Sequence, residues 1–402
     1  MNNPYFDKNT KVYDIVTKYP ATLDYLIGVG FTPLGNPKML NTIGKVMTIG
    51  SGCALKGVDY DALEKNLLNL IEDRSSTDDV TLGLAKKTYE QPDFLMTGVL
   101  PCPIRISLQE AMQESSKING IAEKAQFDLQ SASMGIDHIK KAFDAERKLG
   151  PDIALSVGFE HFFGRKVKEE LFESGDYIVR HPKMNERFDN QTISLRDPKG
   201  RYFILAVVPC VFLVNKKVLG DRKFDSWADL MKPEFEGSLS IPLGDLDMFN
   251  AICLNIYKEF GYEGIERLKK ANAQSLHPAE MAGAFKKKNP PAISIVPYFF
   301  TKMVYNTTDI EVVWPKDGAI ISPIFLIAKK DKQEEFDTII NFFKEENVDA
   351  LLSANGKFPA TLEGASYHLE EDQALKWVGW DFIDENDVDE ILLECEKIFG
   401  IK

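Results

Sequence analysis

The sequence predicts a two-lobed α/β protein, and three observations support this expectation. Strand and helix patterns alternate from Phe94 onward, which is typical of a parallel sheet with crossover helices. Two apolar runs, residues 202–214 and 320–328, are long enough to pass from one lobe to the other. Between them, residues 292–296 form an apolar strand that leads into Pro297-Tyr298-Phe299-Phe300, at the kind of sheet edge where ligands bind. We therefore expect two lobes, two crossing strands and a ligand cleft.

Composition divides the 402-residue chain into three segments. Before residue 72, apolar side chains recur at helical spacing, which predicts a small helical bundle. A polar, charge-rich stretch follows and is interpreted as a linker. The predicted boundaries are residues 1–72 for the helical domain, 73–91 for the linker and 92–402 for a ligand-binding domain, with lobe 1 at 92–208 and 323–402 and lobe 2 at 209–322.

Individual elements follow from apolar runs and from capping and turn signals. The predicted strands are residues 94–98, 127–132, 152–157, 202–214, 238–241, 292–296, 311–314 and 320–328. The predicted helices are residues 12–19, 23–27, 39–47, 59–71, 137–149, 225–230, 248–260, 263–271, 334–343, 348–354 and 387–399. A further helix is expected where Ser107 and Glu110 have capping-box spacing. Pro209 is expected to break the strand over residues 202–214.

Charge and cysteine content exclude several classes of function. The net charge is −13, and residues 363–397 hold twelve acidic and two basic side chains, which disfavours nucleic acid and anionic membranes as partners. The sequence has no apolar run of about 18 residues, so no membrane span is expected. The five cysteines are scattered and odd in number, which argues against a disulfide framework.

The sequence start favours a cytoplasmic location, because residues 1–15 lack the basic and apolar regions of a secretory signal. Residues 49–53 also fit a lipoprotein cleavage site poorly. Catalysis is not expected, since no Ser–His–Asp order, phosphate loop or HExxH motif is present. No cofactor is expected either.

Several short motifs resemble the type 2 solute-binding proteins of ABC transporters, in the branch of ferric-iron, thiamine, polyamine and phosphonate binders. The motifs are Ser226-Trp227-x-Asp229-Leu230-x-x-Pro233-x-x-x-Gly237, Ile241-Pro242, Trp314-Pro315-x-Asp317-Gly318, Ser322-Pro323 and the hinge-region Asn215. This resemblance covers residues 94–401. Residues 11–71 are similar to a small helical domain family of unknown function.

The resemblance implies the type 2 periplasmic-binding-protein fold, a solute held between two lobes, and an ABC permease as partner. It also implies an extracytoplasmic location as the alternative to the cytoplasm. Ferric-iron binders of the family use two adjacent tyrosines on the loop that here has Tyr298 and Phe299, so this chain keeps one phenol of the pair.

The candidate ligand-binding residues lie on loops at the carboxyl ends of four predicted strands. They are Cys102, Arg105, Glu160, His161, Phe162, Asp245, Asp247, Tyr298 and Phe299. The two aspartates either cap the helix that follows them or, with Glu160 and the aromatic faces, attract a cationic or neutral ligand. Arg105 either bonds within its loop or pairs with a ligand carboxylate.

A metal site could instead use Cys102, Glu160, His161, Asp245 and Tyr298, although no local spacing links these residues. The sequence thus predicts a non-catalytic protein that binds a small molecule or ion by hinge closure. The alternative is a cytoplasmic ligand sensor or metal-handling protein that docks an unknown protein partner through residues 1–72.

Overall fold

The structure is a computed structural model, and the chain divides by packing into two compact units, residues 1–142 and 143–402. The residues that it describes are 3, 5–19, 22–28, 31–35, 37–56, 58, 60–71, 89, 91–101, 104–131, 137–143, 150–243, 245–275, 281, 285, 289–304, 308–355 and 357–401. Most of the predicted linker and residues 144–149 of a predicted helix lie outside these ranges. Among the described residues, no helix has the length and hydropathy needed to cross a membrane.

The first unit begins with a small helical bundle. Its helices are α1 (Val12–Lys18), α2 (Thr22–Gly28), α3 (Pro37–Val46), α4 (Ile49–Lys56) and α5 (Tyr60–Ile71), with a 3-10 turn at Thr32–Gly35. Helix α4 was not predicted. A Cβ at Gly52 would lie 2.3 Å from the Phe31 ring, so glycine lets α4 approach that ring.

The first unit continues with a short α/β segment. Its elements are β1 (Phe94–Leu100), α6 (Arg105–Glu114), α7 (Ser116–Asn119), β2 (Ala125–Ser131) and α8 (Asp137–Ala142). Strands β1 and β2 are parallel, as predicted. The capping box at Ser107 is wrong, because the helix begins two residues earlier at Arg105. The carbonyl of Pro101 accepts hydrogen bonds from Ile104 N and Arg105 N, both at 3.1 Å, and so starts the turn before Ser107.

The second unit is built on a mixed sheet with the strand order β3-β9-β4-β7-β5-β6. Strand β8 pairs with β4, and β10 pairs with β9. The strands are β3 (Ile153–Val157), β4 (Phe203–Asn215), β5 (Leu239–Ile241), β6 (Asn272–Ser275), β7 (Ile293–Pro297), β8 (Ile310–Val313), β9 (Ala319–Ala328) and β10 (Leu375–Lys376). The short strands β6 and β10 were not predicted.

Helices cover this sheet and form the carboxyl-terminal segment. They are α9 (Arg165–Lys168), α10 (Lys216–Leu219), α11 (Leu246–Ala271), α12 (Gln333–Phe343), α13 (Glu346–Ala350), α14 (Trp380–Glu385) and α15 (Val388–Phe399). Short segments of other helix types lie at Glu169–Glu173, Trp227–Met231, Pro233–Phe235, Tyr298–Met303 and Leu351–Asn355. Two predicted helices are merged in α11, which bends where Gly261 has a φ of 61°.

Strand β4 crosses the second unit without a break. It pairs with β9 as far as Pro209, opposite Ile321, and with β7 from Cys210, opposite Pro297. The expected break at Pro209 is therefore wrong, and the register between β4 and β9 shifts instead between Ile204 and Ala206. Proline is tolerated here because the strand changes partners at this residue, where one ladder hydrogen bond is dispensable.

Two of the motifs on which the resemblance rests are linked by hydrogen bonds in the second unit. Ser226 caps the predicted short helix at Trp227–Met231 in a capping box with Asp229. The Ser226 hydroxyl also donates to Asp317 Oδ2 at 2.8 Å, and the buried Trp227 indole donates to the Gly318 carbonyl at 2.9 Å. The two motifs, about 90 residues apart, thus form one hydrogen-bonded cluster.

Candidate ligand-binding site

Three strand ends converge in the second unit where β4 changes partners. The last residue of β7, Pro297, lies opposite Cys210. Strands β5 and β7 are parallel neighbours, so their carboxyl ends reach the same edge. Strand β3 ends at Val157, opposite Ile324, and Ile321 lies opposite Pro209. The loops that follow β3, β5 and β7 therefore leave the sheet near the residues where β4 changes partners.

The loop after β3 touches the start of α11. A Cβ on Gly158 would lie 2.6 Å from Asp247 Oδ1, closer than a side chain permits, and 3.2 Å from Asp247 Cα, which is a tight contact. Gly158 has a φ of 82°, and its N–H donates to the Pro323 carbonyl at 2.9 Å on the crossing strand β9. Glycine thus allows the end of β3 to lie directly against the first turn of α11.

Negative charge accumulates where these two elements touch. Burial raises the pKa of the Asp247 carboxyl well above its ordinary value, and the charges of Asp245 and Glu160 raise it further. Cys210 lies opposite Pro297 at the same edge, and burial and the charge of Asp245 raise the pKa of its thiol. Asp245 caps α11 by accepting a hydrogen bond from Met248 N at 3.2 Å, so one of the two predicted capping residues has that role.

The turn after β7 adds aromatic surface to the edge. Tyr298 and Phe299 are both half-buried. The Tyr298 ring packs edge-on against Trp314 at 5.3 Å, and Phe299 packs against Phe358 at 5.3 Å. The Lys357 ammonium lies 4.1 Å from the centre of the Tyr298 ring, in a cation–π contact.

Lys357 was not among the predicted site residues. It donates to Thr301 Oγ1 at 3.1 Å and has a φ of 52°, a conformation that costs a non-glycine residue free energy. Lys357 lies 59 positions after Tyr298 in the chain, and no local pattern links the two residues. The unusual backbone conformation of Lys357 is visible only in the structure.

The remaining predicted residues have different surroundings. His161 is half-buried, has a φ of 70°, and lies 5.1 Å from the Phe162 ring. Phe162 itself is fully buried and packs on Phe143 at 5.5 Å and Phe325 at 5.6 Å, while its carbonyl accepts from the Tyr202 hydroxyl at 2.7 Å. Phe162 therefore contributes to the core beneath the loop.

Arg105 belongs to the first unit. Cys102 lies outside the described residues. Arg105 is buried, with 4% of its surface exposed, and is the first residue of α6. Within the described part of the chain, no three His, Cys, Asp or Glu side chains group in a way that could hold a metal ion.

A sheet with two long crossing strands is the architecture expected of a two-lobed protein. The chain belongs to the family of bacterial extracellular solute-binding proteins, whose profile matches residues 150–386. A second profile, for a domain of unknown function (DUF1858), matches residues 6–63. None of the curated protein sequences matches this chain.

Solved structures share the fold. Apo ferric ion-binding protein A from Pasteurella haemolytica has a TM-score of 0.52 and 14% identity, covering 75% of this chain and 97% of its own. Iron-bound HitA from Pseudomonas aeruginosa has a TM-score of 0.51 and 13% identity, and the match covers 76% of this chain and 99% of HitA. An ABC transporter structure from Clostridium perfringens has a TM-score of 0.50 and 14% identity, and the match covers 76% of this chain and 99% of that protein. The chain thus has the type 2 periplasmic-binding-protein fold and is a solute-binding protein.

Proposed function

We propose that this protein binds a small cationic solute, without catalysis, at the edge where the loops after β3, β5 and β7 meet. The ligand-contacting residues in this proposal are Glu160, His161, Asp245, Asp247, Tyr298 and Phe299. The observation that carries it is the close approach of Gly158 to Asp247, which brings the loop of Glu160 against the acidic first turn of α11. Burial raises the pKa of the Asp247 carboxyl, and the negative charges of Asp245 and Glu160 raise it further.

A bound cation would relieve this electrostatic cost. Carboxylates that face each other repel, so the ligand-free protein holds Asp247 in an unfavourable environment. A cation at the same place turns repulsion into attraction and lowers the pKa of Asp247. An anion would instead add to the repulsion, which is why we favour a cationic ligand over a phosphate or a carboxylate.

The aromatic turn favours an organic ammonium over a metal ion. The Tyr298 ring already interacts with one ammonium, that of Lys357, so a ligand ammonium would take this place by displacing the Lys357 side chain. Two structural neighbours are described as ferric ion-binding or iron-bound proteins. Ferric iron prefers several hard oxygen ligands, and here Phe299 follows Tyr298 and supplies none.

The crossing strands provide a route for closure around the ligand. Strand β4 is shared by both parts of the sheet, and β9 accompanies it up to Pro209. We propose that lobe 1 (residues 92–208 and 323–402) and lobe 2 (residues 209–322) rotate about these strands when the ligand binds. Scattering profiles with and without ligand should then show compaction.

The binding test uses defined probes. Calorimetric titration at pH 7 with putrescine and tetramethylammonium should show binding, whereas inorganic phosphate should show none. Ferric nitrilotriacetate distinguishes a metal ion from an organic cation as the source of the positive charge. Phosphate binding, or failure of every cation to bind, would refute the proposal.

An isosteric variant tests the site itself. Asp247→Asn keeps the shape but cannot ionise, so a bound cation loses the carboxylate that it would stabilise, and affinity should fall at least tenfold, or about 1.4 kcal/mol. Asp221→Asn, at an exposed position of the same unit, is the matched control and should bind like the unmodified protein. Equal affinity for the two variants would place the ligand elsewhere.

The proposed setting is transport. Family members are described as extracellular, and we propose that this chain delivers its solute to an ABC permease outside the cytoplasm. Residues 1–72 are proposed to contact a protein partner. The family match gives no support to the alternative of a cytoplasmic sensor or metal-handling protein.

A further inference from the structure

Helices α11 and α15 pack against each other in opposite directions within the second unit. The rings of Phe249 and Phe399 meet edge to face at 5.1 Å. Cys253 lies one turn further along α11, and Cys395 lies one turn earlier in α15. Because one turn advances both helices by about the same distance, antiparallel packing brings the two cysteines side by side.

The two thiols are in contact and are both free. The Cys253 thiol lies within hydrogen-bonding reach of the Cys395 thiol, and neither side chain is exposed. Burial raises the pKa of the Cys253 thiol, and the neighbouring Cys395 and Glu396 raise it further. The reduced pair is therefore unreactive while α15 stays in place.

We propose that Cys253 and Cys395 form a disulfide that links the carboxyl-terminal helix α15 to α11. The bond forms by exchange with an external disulfide while α15 is detached, during folding or local opening. One cysteine thiolate attacks the external disulfide and releases the first thiol, and the other cysteine then attacks the mixed disulfide and releases the second. The two cysteines lose two protons and two electrons, and the external disulfide is reduced to two thiols.

The bond would fix a segment that supports the proposed site. In the same carboxyl-terminal region, Trp380 stacks on Tyr202 at 5.7 Å, and Lys258 of α11 donates to the Val378 carbonyl at 2.8 Å. Helix α11 begins at the acidic edge that carries Asp247. Linking α15 to α11 would therefore add a covalent bond in the helix that carries Asp247, six residues after that side chain.

An oxidising compartment would allow the bond to persist. This point rests on the extracytoplasmic location proposed above, but the chemistry can be tested without any ligand. A failed binding test would leave the disulfide proposal standing, and a failed oxidation test would leave the binding proposal standing.

The experiment uses the full chain, reduced and then exposed to oxidised glutathione in a urea concentration that opens α15, followed by dilution. The intact mass should fall by two hydrogen atoms, and a tryptic digest should contain one peptide pair joined through Cys253 and Cys395. The melting temperature should rise by several degrees and return to its reduced value with dithiothreitol.

Variants decide between this pairing and others. Cys253→Ala and Cys395→Ala should each abolish the linked peptide and the rise in melting temperature, whereas Cys53→Ala in the first unit should retain both. Glutathione adducts without the linked peptide would overturn the proposal. So would a link that joins either cysteine to another partner in the unmodified protein, a result that does not depend on any variant folding.

Discussion

Replacing Gly158 by alanine should destabilise the protein by more than backbone strain alone. At a φ of 82°, alanine incurs the left-handed penalty of about 1–2 kcal/mol. The new Cβ would also lie 2.6 Å from Asp247 Oδ1 and 3.2 Å from the Asp247 backbone. Moving the start of α11 away is comparable to overpacking a core, which costs about 1–3 kcal/mol. The expected total loss is therefore the sum of the two penalties, about 2–5 kcal/mol.

The chain offers a matched control for the strain. Gly175 has a φ of 75°, and nothing lies within 4 Å of its added Cβ. Gly175→Ala should therefore incur only the first penalty, and the difference between the two variants isolates the steric clash with Asp247. At about 2–4 °C per kcal/mol for a unit of this size, Gly158→Ala should melt roughly 2–12 °C below Gly175→Ala.

The melting temperatures of Gly158→Ala and Gly175→Ala are measured in the unmodified protein and again in a protein that also carries Asp247→Ala. Removing the Asp247 carboxylate leaves only the approach of the new Cβ to the helix backbone at 3.2 Å, so the excess cost of Gly158→Ala should shrink. Equal melting temperatures for Gly158→Ala and Gly175→Ala would refute the close packing of the β3 loop on α11.

Charged groups give two further predictions. Because the folded-state pKa of Asp247 is raised, its ionisation should cost stability as pH rises from the ordinary aspartate pKa through the raised value. In urea melts, Asp247→Asn should therefore be more stable than the unmodified protein at pH 8 and equally stable at pH 3. An equal gain in stability at both pH values would contradict this prediction. Arg201 is nearly buried and pairs with the fully buried Asp197 at 2.9 Å, so Arg201→Gln should lower the free energy of unfolding by about 3–5 kcal/mol. Arg180 forms an exposed ion pair with Asp337, so Arg180→Gln should lower it by at most about 1 kcal/mol. Similar losses of stability in urea melts of these two arginine variants would show that burial does not determine the cost of breaking an ion pair.

The pattern of residues along the chain was sufficient for the fold class. The crossing strands, the Ser226 capping box and the strand-end loops are local features, because apolar runs, caps and turn residues act over a few positions. The same pattern placed Glu160, Asp247 and Tyr298 at strand or helix ends, where parallel-sheet geometry expects a ligand edge.

Local patterns failed where neighbouring groups decide the conformation. The start of α6 was misplaced, since the Pro101 carbonyl accepts the first hydrogen bonds of the turn and so competes with the Ser107 cap. Pro209 did not break β4, because a change of strand partners removes the need for its missing N–H. In both cases the deciding hydrogen bonds involve groups that a propensity argument does not consider.

Only the tertiary structure decided which candidate residues meet. The packing of Gly158 on Asp247, the Lys357 ammonium over Tyr298 and the contact between the Cys253 and Cys395 thiols each join positions that are far apart in the chain. The order of residues determines which side chains are available and on which kind of element they lie. Their juxtaposition depends on strand order and helix packing, which arise from the burial of the whole apolar surface and leave no local signal at the residues concerned.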